Sequence, residues 1–194
     1  MLRRARPARP GRFRFGLYFL ALGLAFLFVE IAFIQKFILF LSHPLYAVAV
    51  VLCGFLVFAG LGSGYSTRLE EQCRMAGRSP IVMAVTRIVL IAFIYLFLLP
   101  PLFHGLMPLP NPAKIVLSIL LIAPLAFCMG MPFPLGLARA SAAATEFVPW
   151  AWGINGCASV LSAVLATILA IHFGFTVVVI LALVFYGLAA VALR

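Results

Sequence analysis

Apolar residues fill six long runs along the chain, at 15–41, 45–64, 81–103, 113–131, 149–172 and 175–193, with short breaks of Arg, Pro, Gly and Ser between them. Within each run the apolarity is continuous. A barrel strand would alternate over about ten residues, whereas a lipid-embedded helix needs roughly 20 apolar residues to cross a ~30 Å hydrocarbon core. The pattern predicts an all-α polytopic membrane protein with six transmembrane helices, a basic arm over residues 1–14 and one membrane domain over 15–194. The connections are too short to build a soluble domain with its own core.

Composition agrees: 66% of the 194 residues are apolar and 9% are charged. The arginines give the orientation. Arg3, Arg4, Arg6, Arg9, Arg12 and Arg14 precede the first run, Arg68, Arg74 and Arg78 follow the second, Arg139 follows the fourth, and Arg194 ends the chain. The opposite connections hold little beyond Lys36 and Lys114. The positive-inside rule then sets both termini in the cytoplasm, as an even number of spans also requires. The net charge of +10 is explained by orientation and contact with anionic lipid. It does not imply a nucleic-acid partner, because no aromatic stacking platform is interleaved with the arginines. The head MLRRARPARPGRFRFG reads as a juxtamembrane arm and not a cleaved signal, since the apolar run is too long and no small-x-small site closes it.

Cys53, Cys73, Cys128 and Cys157 form no CxxC pair, so they read as small apolar packing residues and no metal or cofactor is expected. GLGSG at 60–64 superficially resembles a dinucleotide loop, but it follows a lipid-spanning run and the third glycine of GxGxxG would fall on Tyr65. Close helix packing or a tight exit turn suits it better. In GMPFPLG, at 130–136, Pro132 and Pro134 each remove a backbone donor, so the fourth helix should kink, unwind or stop near Gly130. Freed carbonyls at such breaks build sites in many transporters. VPWAWGINGCASV, at 148–160, places Trp150 and Trp152 at an interface and Asn155 inside a span, where an amide can join helices or meet a ligand. Arg87, about 10 Å into the third run, can snorkel to the near surface.

The first run carries Glu30, Gln35 and Lys36. With entry near Phe15, a rise of 1.5 Å per residue sets Lys36 about 32 Å along, at the far interface, where it can snorkel. Glu30 lies at about 22 Å, roughly 8 Å short of that boundary. Its i+4 neighbour is Ile34 and Lys36 is about 120° round the helix, so its own helix offers no partner. Glu30 must be protonated, paired with another helix or facing water. It is expected to face the bundle, opposite a polar group of the second, fifth or sixth span. His43, His104 and His172 all fall near the same end, which suits ordinary interfacial residues, a proton relay or a metal site. The candidates for substrate or proton handling are Glu30, Gln35, His43, His172 and Asn155, with Gly130, Pro132 and Pro134 as helix-break candidates.

GLAFLFVEIAFIQKFILFLSHPLYAVAVVL, GLGSG, GMPFPLG and VPWAWGINGCASV, in that order across nearly the whole chain, resemble the C-terminal membrane region of bacterial spermidine synthase-like multipass proteins. A weaker likeness to half of a major-facilitator transporter, strongest in the last two helices, accompanies some members of that family. The resemblance implies a bacterial inner-membrane location. It also implies a soluble Rossmann-like aminopropyltransferase partner, with S-adenosylmethionine-type ligands, outside this sequence. The chain contains no Asp, and aminopropyl transfer in that family relies on aspartates, so no catalytic residue carries over. Two functions remain. One is a membrane anchor or partner subunit for a separate aminopropyltransferase-like domain. The other is a small-solute or polyamine transporter, as a homo-oligomer of six-helix halves, using Glu30.

Overall fold

The computed structural model describes residues 11–193; Arg3, Arg4, Arg6, Arg9 and Arg194 of the arginine pattern lie outside them. The described chain is helical throughout: α1 (Arg12–Leu41), α2 (Pro44–Met75), α3 (Pro80–Leu106), α4 (Asn111–Met129), α5 (Pro132–Ala143) and α6 (Phe147–Ala192). Five stretches are long and apolar enough to cross a membrane, with α4 and α5 together forming one of them.

The punctuation follows from backbone chemistry. Proline stands at the first or second position of α2, α3, α4 and α5, where its missing N–H costs nothing and its fixed φ suits a helix start. Ser42 ends α1 in the left-handed region (φ 59°), its N–H returning to the Ile38 carbonyl. At the end of α2, Gly77 (φ 65°) lets Arg78 N–H reach the Cys73 carbonyl at 2.9 Å, a left-handed cap that glycine adopts without steric cost.

Two elements differ from the apolar pattern. α2 continues as helix through TRLEEQCRM to Met75, well past Gly64. Those residues are polar but include strong helix formers, so the helix extends beyond the apolar run. α6 is 46 residues long, about 69 Å if straight and more than twice a hydrocarbon core. It breaks at Gly174, whose φ 82° and ψ 173° are not helical. The contacts of its two arms show the consequence. Phe147 stacks on Phe15 and the Val191 carbonyl lies 3.5 Å from the Arg14 guanidinium, so both ends of α6 meet the start of α1. Phe175, beside the break, packs on Phe33. The arms therefore run side by side along α1.

α1 is the most enclosed helix and α6 the least. In the Arg14 half of the bundle, helices approach backbone to backbone. A Cβ on Gly62 would collide with the Phe127 carbonyl, and one on Gly130 with the Ala59 carbonyl, so α2 and α4 lie against each other through these two glycines. This is the close approach that small residues permit. In the Lys36 half, phenylalanines interlock: Phe33 with Phe55 at 5.6 Å, Phe37 with Phe103 at 5.1 Å, and Phe40 flat on Phe103 at 4.4 Å. Each such pair contributes about 0.5–1.5 kcal/mol beyond its area.

Candidate functional site

Glu30 is the natural starting point, since it is the one acidic residue inside an apolar run. It is buried, with 5% of its surface exposed. One turn to either side, Phe26 and Phe33 both contact the Phe55 ring of α2, and Phe33 also meets Tyr95 of α3. Glu30 thus rides on the face of α1 turned to α2 and α3. It does face the bundle, but no hydrogen bond or ion pair ties its carboxyl to another side chain among the described residues. The polar group expected opposite it forms no hydrogen bond with it among the described residues. Tyr95, whose ring meets Phe33, donates instead to the Leu121 carbonyl at 2.7 Å. A buried carboxyl without a donor is held in its neutral form or meets water.

The other candidates are spread out. Gln35 is half-buried on α1. His43 caps α2 in an extended conformation and sits edge-on to Tyr46. His172, exposed near the end of the first arm of α6, has its Nδ1 2.9 Å from the Ile168 carbonyl of its own helix. His104 is exposed near the end of α3. No hydrogen bond joins these histidines to one another or to Glu30 among the described residues. Nor is any group of three His, Cys, Asp or Glu side chains there placed to hold a metal ion.

Asn155 lies where α6 crosses α1. A Cβ on Gly23 would stand 2.6 Å from the Asn155 carbonyl and 2.8 Å from the Ala158 Cβ, and one turn further on Ser162 donates to the Leu24 carbonyl at 2.8 Å. The residues around Asn155 thus join helices, with Gly23 as the socket. Arg87 is half-buried on α3.

At GMPFPLG the chain kinks without unwinding. Gly130 and Met131 keep right-handed helical torsions, so Pro132 opens α5 immediately. Pro134 cannot donate to the Gly130 carbonyl, which loses its i+4 partner. The Pro132 carbonyl accepts a hydrogen bond from the Tyr18 hydroxyl, and Gly136 makes room for the Tyr18 ring, which a Cβ there would strike. The break is therefore plugged by a tyrosine of α1.

Three features were not legible in the sequence. Arg139, read only as an orientation marker, donates to the Leu193 carbonyl at 2.6 Å and lies 3.4 Å from the Ser79 hydroxyl, so α5 holds the end of α6 and the start of α3. Lys114, read as a loop residue, is buried, its ammonium 5.5 Å from the centre of the Phe40 ring. Tyr186 is buried, and its hydroxyl has no hydrogen-bond partner among the described residues. No local periodicity announces any of these, because each depends on a neighbour far along the chain.

Comparison with family models, with curated proteins and with solved structures finds no match for this chain.

Proposed function

We propose that this chain is the membrane module of a spermidine synthase-like protein of a bacterial inner membrane, anchoring or partnering a separate aminopropyltransferase-like catalytic domain. The observation that carries this reading is the filled interior: Phe33, Phe37, Phe40, Phe55 and Phe103 are buried and in mutual ring contact through the middle and far half of the bundle. Tyr18 fills the space at the helix break, its hydroxyl donating to the Pro132 carbonyl. Such packing suits a rigid support better than a path for a solute. The order of the four motifs supplies the family.

In this reading the helices make six crossings, with α4 and α5 as the fourth and the arms of α6 as the fifth and sixth. Support comes from the left-handed break at Gly174 and from the meeting of both ends of α6 with the start of α1. Both termini then share the arginine-rich side, which the positive-inside rule makes cytoplasmic. The exposed Arg68, Arg74 and Arg78 form the docking face for the catalytic domain.

The test is site-specific photocrosslinking from positions 74 and 78 in membranes co-expressing a soluble aminopropyltransferase-like protein of the same genome. A covalent adduct from both positions, lost when the probe is moved to position 104, is expected. Adducts no stronger than from position 104 would sink the docking reading.

A second reading, small-solute transport by a dimer of such halves, is favoured by one observation, the buried carboxyl of Glu30 without a protein donor. It requires proton-coupled uptake of a labelled polyamine in proteoliposomes that Glu30→Gln abolishes. Uptake equal to that of empty liposomes would remove it.

A further inference from the structure

The Lys36 end of the bundle holds a cavity of about 290 Å³ between the ends of α1 and α3, lined by Lys36 and His104 and otherwise by apolar side chains including Leu39, Phe40, Phe103 and Met107. We propose that it seats an anionic phospholipid of the leaflet on that side, its phosphate against Lys36 and His104 and its glycerol and upper acyl chains against the apolar wall.

Charge favours an anion. Lys36 is the charged residue of the lining, its ammonium 5.5 Å from the centre of the Phe175 ring outside it; Lys114, buried with its ammonium 5.5 Å from the centre of the Phe40 ring, adds positive charge beside the wall without lining it. Neither lysine has a carboxylate within ion-pair distance, the pair Arg12–Glu146 at the opposite end being the ion pair found among the described residues. Glu70 and Glu71 also belong to that opposite end, since α2 carries them away from Pro44. Glu30 is the one carboxyl in this half and is buried below the cavity level, six residues before Lys36. Positive charges held over aromatic faces keep their attraction for an anion while their hydrocarbon stems stay in apolar surroundings.

The wall chemistry selects a lipid. A free phosphate would gain nothing from the apolar side chains, whereas an amphiphile satisfies both. Leu39 and Met107, both exposed, continue the wall outward onto the surface where acyl chains lie.

The test uses the purified full-length chain in nanodiscs of equal parts phosphatidylglycerol and phosphatidylcholine, released into detergent and weighed by native mass spectrometry. The wild type is expected to retain phosphatidylglycerol in preference to phosphatidylcholine. Lys36→Gln should lower that retention about fivefold, the effect of one lysine at an anionic surface. His104→Gln should lower it further in the double variant, and Lys36→Arg should restore it. Circular dichroism of each variant keeps loss of fold distinct from loss of lipid, and the exposed His104→Gln variant is informative on its own if Lys36→Gln misfolds. Equal retention by the wild type and the folded variants overturns the proposal. So does equal retention of the two lipids, or displacement of the lipid by inorganic phosphate at equal concentration.

Discussion

The two halves of the bundle differ in their closest helix contacts, although rings also meet in the Arg14 half, as Phe15 on Phe147 and Phe19 on Phe133. In the Arg14 half, helices touch through absent side chains: Gly62 on the Phe127 carbonyl, Gly130 on the Ala59 carbonyl, Gly136 beneath the Tyr18 ring. Side chains there hydrogen-bond to carbonyls, as Tyr18 does to Pro132 and Arg139 to Leu193. In the Lys36 half rings fill the space between helices, Phe33 against Phe55 and both Phe37 and Phe40 against Phe103. The difference matters because hydrocarbon outside the bundle is as apolar as leucine, so burial alone does not drive helices together in a membrane. Close backbone contact and satisfied carbonyls stabilise one half; dispersion between well-fitted rings stabilises the other. The first arrangement has no slack, while the second can lose volume by degrees.

The most damaging change should therefore be a side chain at the glycine contacts. Gly62→Leu or Gly130→Leu would drive carbon into backbone that cannot move aside as a flexible side chain can, and no folded, monodisperse protein is expected on size exclusion in detergent. A well-behaved Gly130→Leu protein would break the comparison. Next comes the aromatic half. Phe40→Ala removes the ring stacked on Phe103 and under Lys114 and should cost about 2–4 kcal/mol, less than the largest losses in water-soluble cores because lipid is itself apolar. The measurement is unfolding in mixed micelles, with Phe40→Leu expected to recover much of the loss.

Arg139→Gln should cost about 1–2 kcal/mol in the same assay, since its hydrogen bond to Leu193 is charge-assisted but half-exposed. Hydrogen exchange at the last turn of α6 should rise selectively, and uniform exchange would deny Arg139 its clamping role. The smallest effect is of opposite sign. Gly64 shares the GLGSG motif with Gly62, yet a Cβ there meets nothing within 4 Å. Gly64→Ala should stabilise α2 by up to about 1 kcal/mol through lowered backbone freedom, and a destabilising result would show that α2 packs more closely there than its neighbours indicate.

That pair of glycines, two residues apart, also marks the limit of what sequence patterns can say. The run of apolar residues fixes helical structure in lipid because unpaired backbone groups have no water to turn to, and Gly174 and the prolines set where helices break or begin. The first arm of α6 could be separated from the second on that basis alone, as could the exclusion of a dinucleotide site at GLGSG. Which glycine is a contact and which is free depends on the rotation of α2 against α4, and no property of either helix alone contains it. Glu30 could be recognised as unable to pair on its own helix from spacing alone, a local geometric fact. Its setting beside Phe26 and Phe33, without a partner side chain, was decided by how α1 turns toward α2 and α3. Lys114 and Arg139 read as boundary charges because charge predicts distance from lipid, yet tertiary packing laid one over the Phe40 ring and hooked the other onto the Leu193 carbonyl. Helix existence follows from local chemistry repeated along the chain; contact between residues a hundred positions apart follows only from the shape of every helix fitted against the rest.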